Sequence, residues 1–375
     1  MKIVLYLILG LIAILVSGFV WFNYSFKGVP ALTIPKDVSS TEAMKYLDEW
    51  FELLHAEGKF NGAILIAENH QPQLMKAYGF TNYKEDEKLT TQSSFRLASV
   101  SKQFTAAGIM LLKEKGLLDY DKTVDTYLPD FPYKEATVRQ LLNQTSGIPD
   151  TYLQLAEKYK AEIGDVLSIQ EAVALVSKYP KKASTPNEKF VYSNTNYILL
   201  AGIIETISGQ SFEDYMQTEI FIPLEMKNTR VWNLLSKDKT FPNKTNSISY
   251  LTGKATELIP DFIDGVAGDG GVFSSIEDFL IWDKFWYENP LISATNLKEA
   301  FKQPLLNNGT TSNYGFGWLI VDQDVVMHNG SWLGARTLIV RNRKNKRCRV
   351  LLDNGMNFRL DNIAKEIGKN LPIRA

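Results

Sequence analysis

The stretch Phe95-Arg96-Leu97-Ala98-Ser99-Val100-Ser101-Lys102 runs straight into Phe104, Ala106, Ala107, Ile109, Met110, Leu111 and Leu112. Apolar residues on more than one helical face describe a helix largely buried in a core. At its start Ser99 and Lys102 lie three residues apart and share a face. A nucleophilic hydroxyl needs a base held nearby, and Ser-x-x-Lys at a helix start supplies both. Partial desolvation there lowers a lysine's pKa toward that of a useful base, and the helix N-terminus favours developing negative charge. The spacing equally describes an N-capping serine beside a lysine that snorkels to solvent. A second pair, Ser236 and Lys239, sits in a polar stretch without apolar periodicity and reads as a solvated loop.

Two further elements bear on chemistry. Tyr192-Ser193-Asn194 precedes an apolar helix that ends near Ser208. A tyrosine near a base can relay a proton to a leaving group, and an asparagine amide can orient base and substrate. In isolation it is as readily a packed tyrosine and a capping asparagine. The other Tyr-x-Asn, at Tyr287 and Asn289, falls where a helix exits toward Pro290. The second element is His328-Asn329-Gly330, followed by Ser331, at the end of a short strand. A cation or donor on such a strand can polarise a bound acyl group, glycine permits close backbone approach, and the next N–H can face an oxyanion. A lone strand histidine is more often a satisfied structural residue.

Composition narrows the classes. The 375 residues are 45% apolar and 22% charged, a globular profile, and 41 basic against 42 acidic residues leave no basic footprint for nucleic acid. One cysteine, Cys348, excludes an internal disulfide framework and cysteine-built metal clusters. The histidines at 55, 70 and 328 are scattered without ligand spacing, so no metal site is expected.

Before the body lies an unbroken apolar run, 3–22, preceded by Lys2. At about 1.5 Å per residue it reaches roughly 30 Å, the thickness of a bilayer core. It continues through Phe19-Val20-Trp21-Phe22, past the poor cleavage site Val16-Ser17-Gly18. Residues 1–24 are therefore expected to be a single transmembrane anchor, with a cleaved secretory signal as the alternative. Residues 25–38, with Gly28, Pro30 and Pro35, read as a linker, and 39–375 as one domain held outside the cytoplasm.

Within that domain Ser39 with Glu42 forms a capping box that opens a helix running to Gly58. Strands are expected at 62–67 and 73–79, and again at 317–321, 325–328, 336–341 and 347–353, before a helix at 360–371. Between 101 and 301 the signals are mainly helical. Starts are expected at Ser168 with Glu171, Ser211 with Asp214 and Ser274 with Glu277, and C′ glycines at 116 and 209. Strands from both ends of the chain imply an α+β fold whose antiparallel sheet is assembled from both termini around a helical insertion.

Ser-x-x-Lys, Tyr-x-Asn and His-x-Gly in this order resemble the serine β-lactamase and penicillin-binding superfamily. The likeness is to its class C-like branch of β-lactamases, D-Ala-D-Ala carboxypeptidases, D-aminopeptidases and related esterases. Leu141-Leu142-Asn143-Gln144-Thr145-Ser146-Gly147-Ile148-Pro149, Gly270-Gly271-Val272-Phe273-Ser274-Ser275 and Tyr314-Gly315-Phe316-Gly317-Trp318 also fit, and the likeness extends over about 45–370. The resemblance implies the β-lactamase/transpeptidase-like fold and a serine hydrolase acting on amide or ester bonds of small or peptide-like substrates, D-residue peptides first. Ser99 would be the acylated nucleophile, Lys102 its base, Tyr192 the proton shuttle and Asn194 the positioning amide; Lys102 and Tyr192 could exchange roles. His328 would stand where class C β-lactamases hold lysine, beside Asn329 and Gly330 in the substrate-binding strand. The N–H groups of Ser99 and Ser331 would form the oxyanion hole. No metal or organic cofactor is implied. Two departures stand out. His-Asn-Gly replaces Lys-Thr-Gly, which weakens the expectation of a true β-lactamase, and Asn329 replaces a hydroxyl that helps bind a substrate carboxylate. Gln144 stands where histidine is common and reads as structural. The alternative from another class is a non-catalytic ligand-binding or scaffolding protein on the same fold.

Overall fold

The computed structural model describes residues 28–251 and 253–374. The expected anchor lies outside the described residues, and among those described no helix is long and apolar enough to cross a membrane.

The chain opens with α1 (Ser40–Ala56), started by the Ser39–Glu42 capping box, and the hairpin β1 (Gly62–Glu68) and β2 (Gln71–Tyr78). A short strand β3 (Phe95–Arg96) leads through a 3₁₀ turn, Ala98–Ser101, into α2 (Lys102–Glu114). The helical insertion follows as α3 (Val138–Leu142), α4 (Tyr152–Lys158), α5 (Ile169–Lys178), α6 (Asn194–Ser208) and α7 (Phe212–Met216). Short strands β4 (Arg230–Val231), β5 (Ile248–Ser249), β6 (Thr256–Glu257) and β7 (Val272–Ser274) precede α8 (Ile276–Phe285) and α9 (Ala294–Glu299). The chain ends with β8 (Leu319–Ile320), β9 (Val325–Trp332), β10 (Ala335–Asn342), β11 (Arg347–Asp353) and α10 (Leu360–Asn370).

Six strands form one antiparallel sheet in the order β2-β1-β11-β10-β9-β8. Its centre is the expected union of the chain's two ends, with Gly62 opposite Asp353 and Glu68 opposite Arg347. Successive side chains of β1 point to opposite faces. Ile64 joins Phe51, Leu54, Leu351, Ile363 and Ile367 beneath α1 and α10. Leu65 joins Val350, Leu352, Phe104 and Trp282 beneath α2 and α8. Phe104 and Trp282 stack with centroids 4.1 Å apart, so the two helices share one apolar seam. Residues 28–38 form no helix or strand, yet they lie against the domain: Asn370 of α10 donates to the Leu32 carbonyl at 2.8 Å, and Trp50 donates to the Pro30 carbonyl at 3.2 Å.

Three details differ from the sequence reading. The cap of α8 is Ser275, with its hydroxyl on the Asp278 N–H; Ser274 belongs to β7, opposite Phe95. Within the insertion, β3-β7-β4 form a small sheet and β5-β6 a hairpin, each built of strands too short to show a period of two. Finally, β9 does not stop at His328 but runs on to Trp332.

A buried ion pair fastens α8 to the sheet. The Arg341 Nε donates to Asp283 Oδ1 at 2.6 Å, both side chains are fully buried, and His70 Nδ1 lies 3.0 Å from the other oxygen. Removing one partner of such a pair leaves an uncompensated buried charge. Asp283→Ala is therefore expected to lower unfolding free energy by about 3–5 kcal/mol. Urea denaturation with an unchanged slope checks this, and a midpoint matching the wild type would refute it.

Candidate active site

Ser99 owes its position to strain and to three packed elements. Ala98 adopts φ +48°, a left-handed conformation uncommon outside glycine, which turns the chain sharply out of β3. The turn is held from both sides: Leu97 N donates to the Val272 carbonyl at 2.9 Å, and Val272 N donates to the Ser101 hydroxyl at 3.1 Å. From the sheet, Thr337 of β10 donates its hydroxyl to the Leu97 carbonyl at 2.8 Å. Gly330, paired with Thr337, lies so close that a Cβ there would sit 2.3 Å from Leu97 O and 3.0 Å from Ser99 N. Only a residue without a side chain lets β9 approach the turn this nearly. Strand β8 pairs with β9 only at Val326 and Met327, so beyond Met327 the edge bearing Gly330 and Ser331 is left for the turn and for whatever binds beside it.

Lys102 lies within the core with no exposure. Its ammonium donates to Ser99 Oγ at 3.2 Å, to Asn194 Oδ1 at 2.8 Å and to the Asp269 carbonyl at 2.8 Å. Three donors meet three acceptors, which a buried ammonium requires. Nζ also lies 4.9 Å from the Tyr192 ring centroid and 5.6 Å from that of Tyr197. Each acceptor is itself fixed. The Asn194 amide donates onward to Asp150 at 3.3 Å, and Asp150 accepts from the N–H and hydroxyl of Thr195 in the first turn of α6. The Asp269 carbonyl comes from the loop 268–271, where Gly268 packs on α6; a Cβ there would be 2.6 Å from the Tyr197 carbonyl.

Gln144, read as structural, is the hub of the Tyr192-x-Asn194 segment. It adopts φ +62°, and its side-chain oxygen accepts from Ser193 N at 3.0 Å and from the Asn196 amide at 2.7 Å. The sequence reading left His328 open as a cation or a donor, and its buried surroundings favour the neutral ring. Nδ1 lies 2.7 Å from the carbonyl of Asn329, and Nε2 lies 2.9 Å from the Tyr314 hydroxyl. A carbonyl can only accept, so Nδ1 carries a proton, and in the neutral ring Nε2 is left to accept from the Tyr314 hydroxyl. Burial, followed by repulsion from Lys102, lowers the imidazole to about 3. The buried ring lies 6.2 Å from Tyr192, centroid to centroid, in an environment that disfavours the imidazolium. Asn329 and Ser331, next to it in the strand, are exposed.

Ser99, Asn194, Ser331 and Trp332 line a cavity of about 80 Å³. Its remaining polar walls were not foreseen from sequence. Tyr152 donates its hydroxyl to Asp269 Oδ2 at 2.9 Å, and burial, ahead of the attraction of Lys102, pushes that carboxyl up. Arg96 pairs with Asp264 at 3.2 Å, and Asp264 also accepts from the Trp332 indole at 2.8 Å. The duplicate motifs have other uses. Ser236 donates to Glu213 while Lys239 donates to the Leu234 carbonyl, and the Asn289 amide donates to the Phe285 carbonyl at the end of α8.

A buried lysine against a half-buried serine hydroxyl, with a strand edge closing on the serine N–H, is the equipment of acyl transfer. Comparison with known proteins agrees. Residues 47–367 match the beta-lactamase family model. Penicillin-binding protein 4* of Bacillus subtilis (strain 168) is 36% identical over 327 residues, 83% of this chain and 71% of that protein. Protein flp of Staphylococcus aureus (strain MW2) is 27% identical over 329 residues, 84% of this chain but 64% of flp, so the chain spans less than two thirds of that relative. The D-amino acid amidase from Ochrobactrum anthropi SV3, solved with L-phenylalanine amide, shares the fold at TM-score 0.68 and 22% identity, over 89% of this chain and 97% of its own. The chain belongs to the beta-lactamase family, and with it to the serine hydrolases.

Proposed function

We propose that the chain hydrolyses amide or ester bonds of small or peptide-like substrates, with D-residue compounds foremost, through an acyl-enzyme on Ser99. The observation that carries this reading is the setting of Lys102. Once its amine is deprotonated, two N–H groups remain committed to Asn194 Oδ1 and the Asp269 carbonyl, so the lone pair is aimed at the Ser99 hydroxyl. Ser99 Oγ then gives its proton to Nζ as it bonds to the substrate carbonyl carbon. The oxyanion so formed is received by the N–H groups of Ser99 and Ser331. On collapse the C–N or C–O bond breaks, and the proton passes from Lys102 by way of Tyr192 to the leaving amine or alcohol. Water then releases the acyl group and restores Ser99. Asn194 acts by fixing the amine, and Asn329 and Gly330 border the substrate from the strand. The name of the amidase neighbour supports D-amino acid amides as the first compounds to try.

We also propose that the apolar run 3–22 anchors this domain to a membrane, with the domain outside the cytoplasm; its length is the support. Cell fractionation should return the intact chain with membranes, and recovery of a shortened soluble form would overturn this.

Fluorophosphonate treatment should add one adduct by intact mass, and Ser99→Ala should abolish it while melting as the wild type does. A folded wild type that takes no label would favour the ligand-binding alternative. A second prediction concerns His328. The unfolded ring titrates near its ordinary value of 6.5, and the folded one at about 3. Between those values the unfolded chain binds a proton that the folded chain refuses, so stability falls as pH drops through that window. His328→Gln, whatever its loss near pH 7, should lose less than the wild type on going to about pH 5. Parallel losses in thermal melts would contradict a neutral buried ring.

A further inference from the structure

The cavity beside Ser99 holds a carboxylate that the acylation scheme does not use. Asp269 faces it with a half-buried side chain, steadied by the hydroxyl of buried Tyr152 on Oδ2. The neighbouring cations are committed elsewhere. Arg96 is paired with Asp264, and the three donors of Lys102 go to Ser99, Asn194 and the backbone carbonyl of Asp269, not to its carboxylate. Among the described residues no cation comes within ion-pair distance of the Asp269 carboxylate. The one side-chain donor the carboxylate has is the neutral hydroxyl of Tyr152, so a ligand that brings a cation into the cavity adds a charge-assisted partner it lacks.

We propose that Asp269 is a specificity-determining residue that receives the protonated α-amino group of an aminoacyl substrate. The preferred acyl donor is then an amino-acid amide or ester with a free amino group. An alanyl group, an ammonium and a methyl on one carbon, is the smallest chiral donor of this class and serves as the probe. This inference rests on Ser99 being the nucleophile.

The test uses the full-length protein and four chromogenic substrates: the p-nitroanilides of D-alanine and L-alanine, and the N-acetyl derivative of each. For at least one enantiomer the free amine should exceed its acetylated form in kcat/KM by about tenfold or more, chiefly through KM. Asp269→Asn keeps the backbone carbonyl that holds Lys102 and should bring that ratio close to one. Tyr152→Phe, which frees Oδ2, should lower it in part. A ratio that survives in Asp269→Asn would mean that size alone excludes the acetyl group, and would overturn the proposal. So would a wild-type ratio at or below one, or turnover of none of the four by an enzyme whose Ser99 takes the fluorophosphonate. Failure of Ser99 to label in folded wild type would instead overturn the nucleophile reading beneath it.

Discussion

A lysine ammonium with no exposure is the constraint on which this structure turns. Taking such a charge out of water is expensive unless every donor finds an acceptor. The three acceptors of Lys102 come from the turn before α2, the first residue of α6, and the loop before β7. None of these is near another in sequence, so the helical insertion must be docked on the sheet domain before the charge is satisfied. The shell behind them serves the same end: Asp150 fixes Asn194, Gln144 fixes the segment before it, and Gly268 brings the third carbonyl within reach. In the acylation proposed above, the acceptors that satisfy the ammonium are the same ones that would orient the amine.

The site has a second electrostatic feature, a division of labour between its nitrogen groups. Lys102 is central and hydrogen-bonded to oxygen on every side. His328, on the adjoining strand, is kept neutral by burial and by that same cation. Two positive charges so close in a dry interior would repel, so a lysine ammonium and a neutral imidazole are compatible where an ammonium and an imidazolium are not. Tyr314 completes the arrangement by donating to the ring, which places the imidazole in the packing that supports Tyr192.

What could be read from the sequence was local chemistry and long periodicity. Capping boxes at Ser39 and Ser168 involve residues three apart, and they stand as read. Ser274 and Ser275 each have an acid three residues on, so local chemistry could not choose between them. The pairing of Ser274 with Phe95, far away in sequence, makes the choice. Strands of two or three residues carry no period, and β3 through β7 were accordingly missed. In the site, Ser99, Lys102 and Asn194 do converge, while Tyr192 joins them through its ring. The residues that escaped notice, Asp150, Tyr152 and Asp269, share a reason: each matters for where the fold carries it, and none belongs to a spacing that chemistry alone would demand. The charge state of His328 was equally out of reach, because it depends on Tyr314 and on the depth of β9.

The pairing of β1 with β11 has a consequence for the order of events during synthesis. Gly62 meets Asp353, so the centre of the sheet joins segments separated by almost the whole domain. Contacts of such separation form late, after the entropy of closing a long loop has been met. A ribosome must release nearly all of this domain before the middle strand has a partner. The strand edge that closes on Ser99 belongs to β9, which is also made late and is seated through β10 and β11. The nascent chain therefore carries its serine and lysine for most of its synthesis without the neighbours that make them reactive. Topology by itself delays the onset of reactivity until the domain is whole.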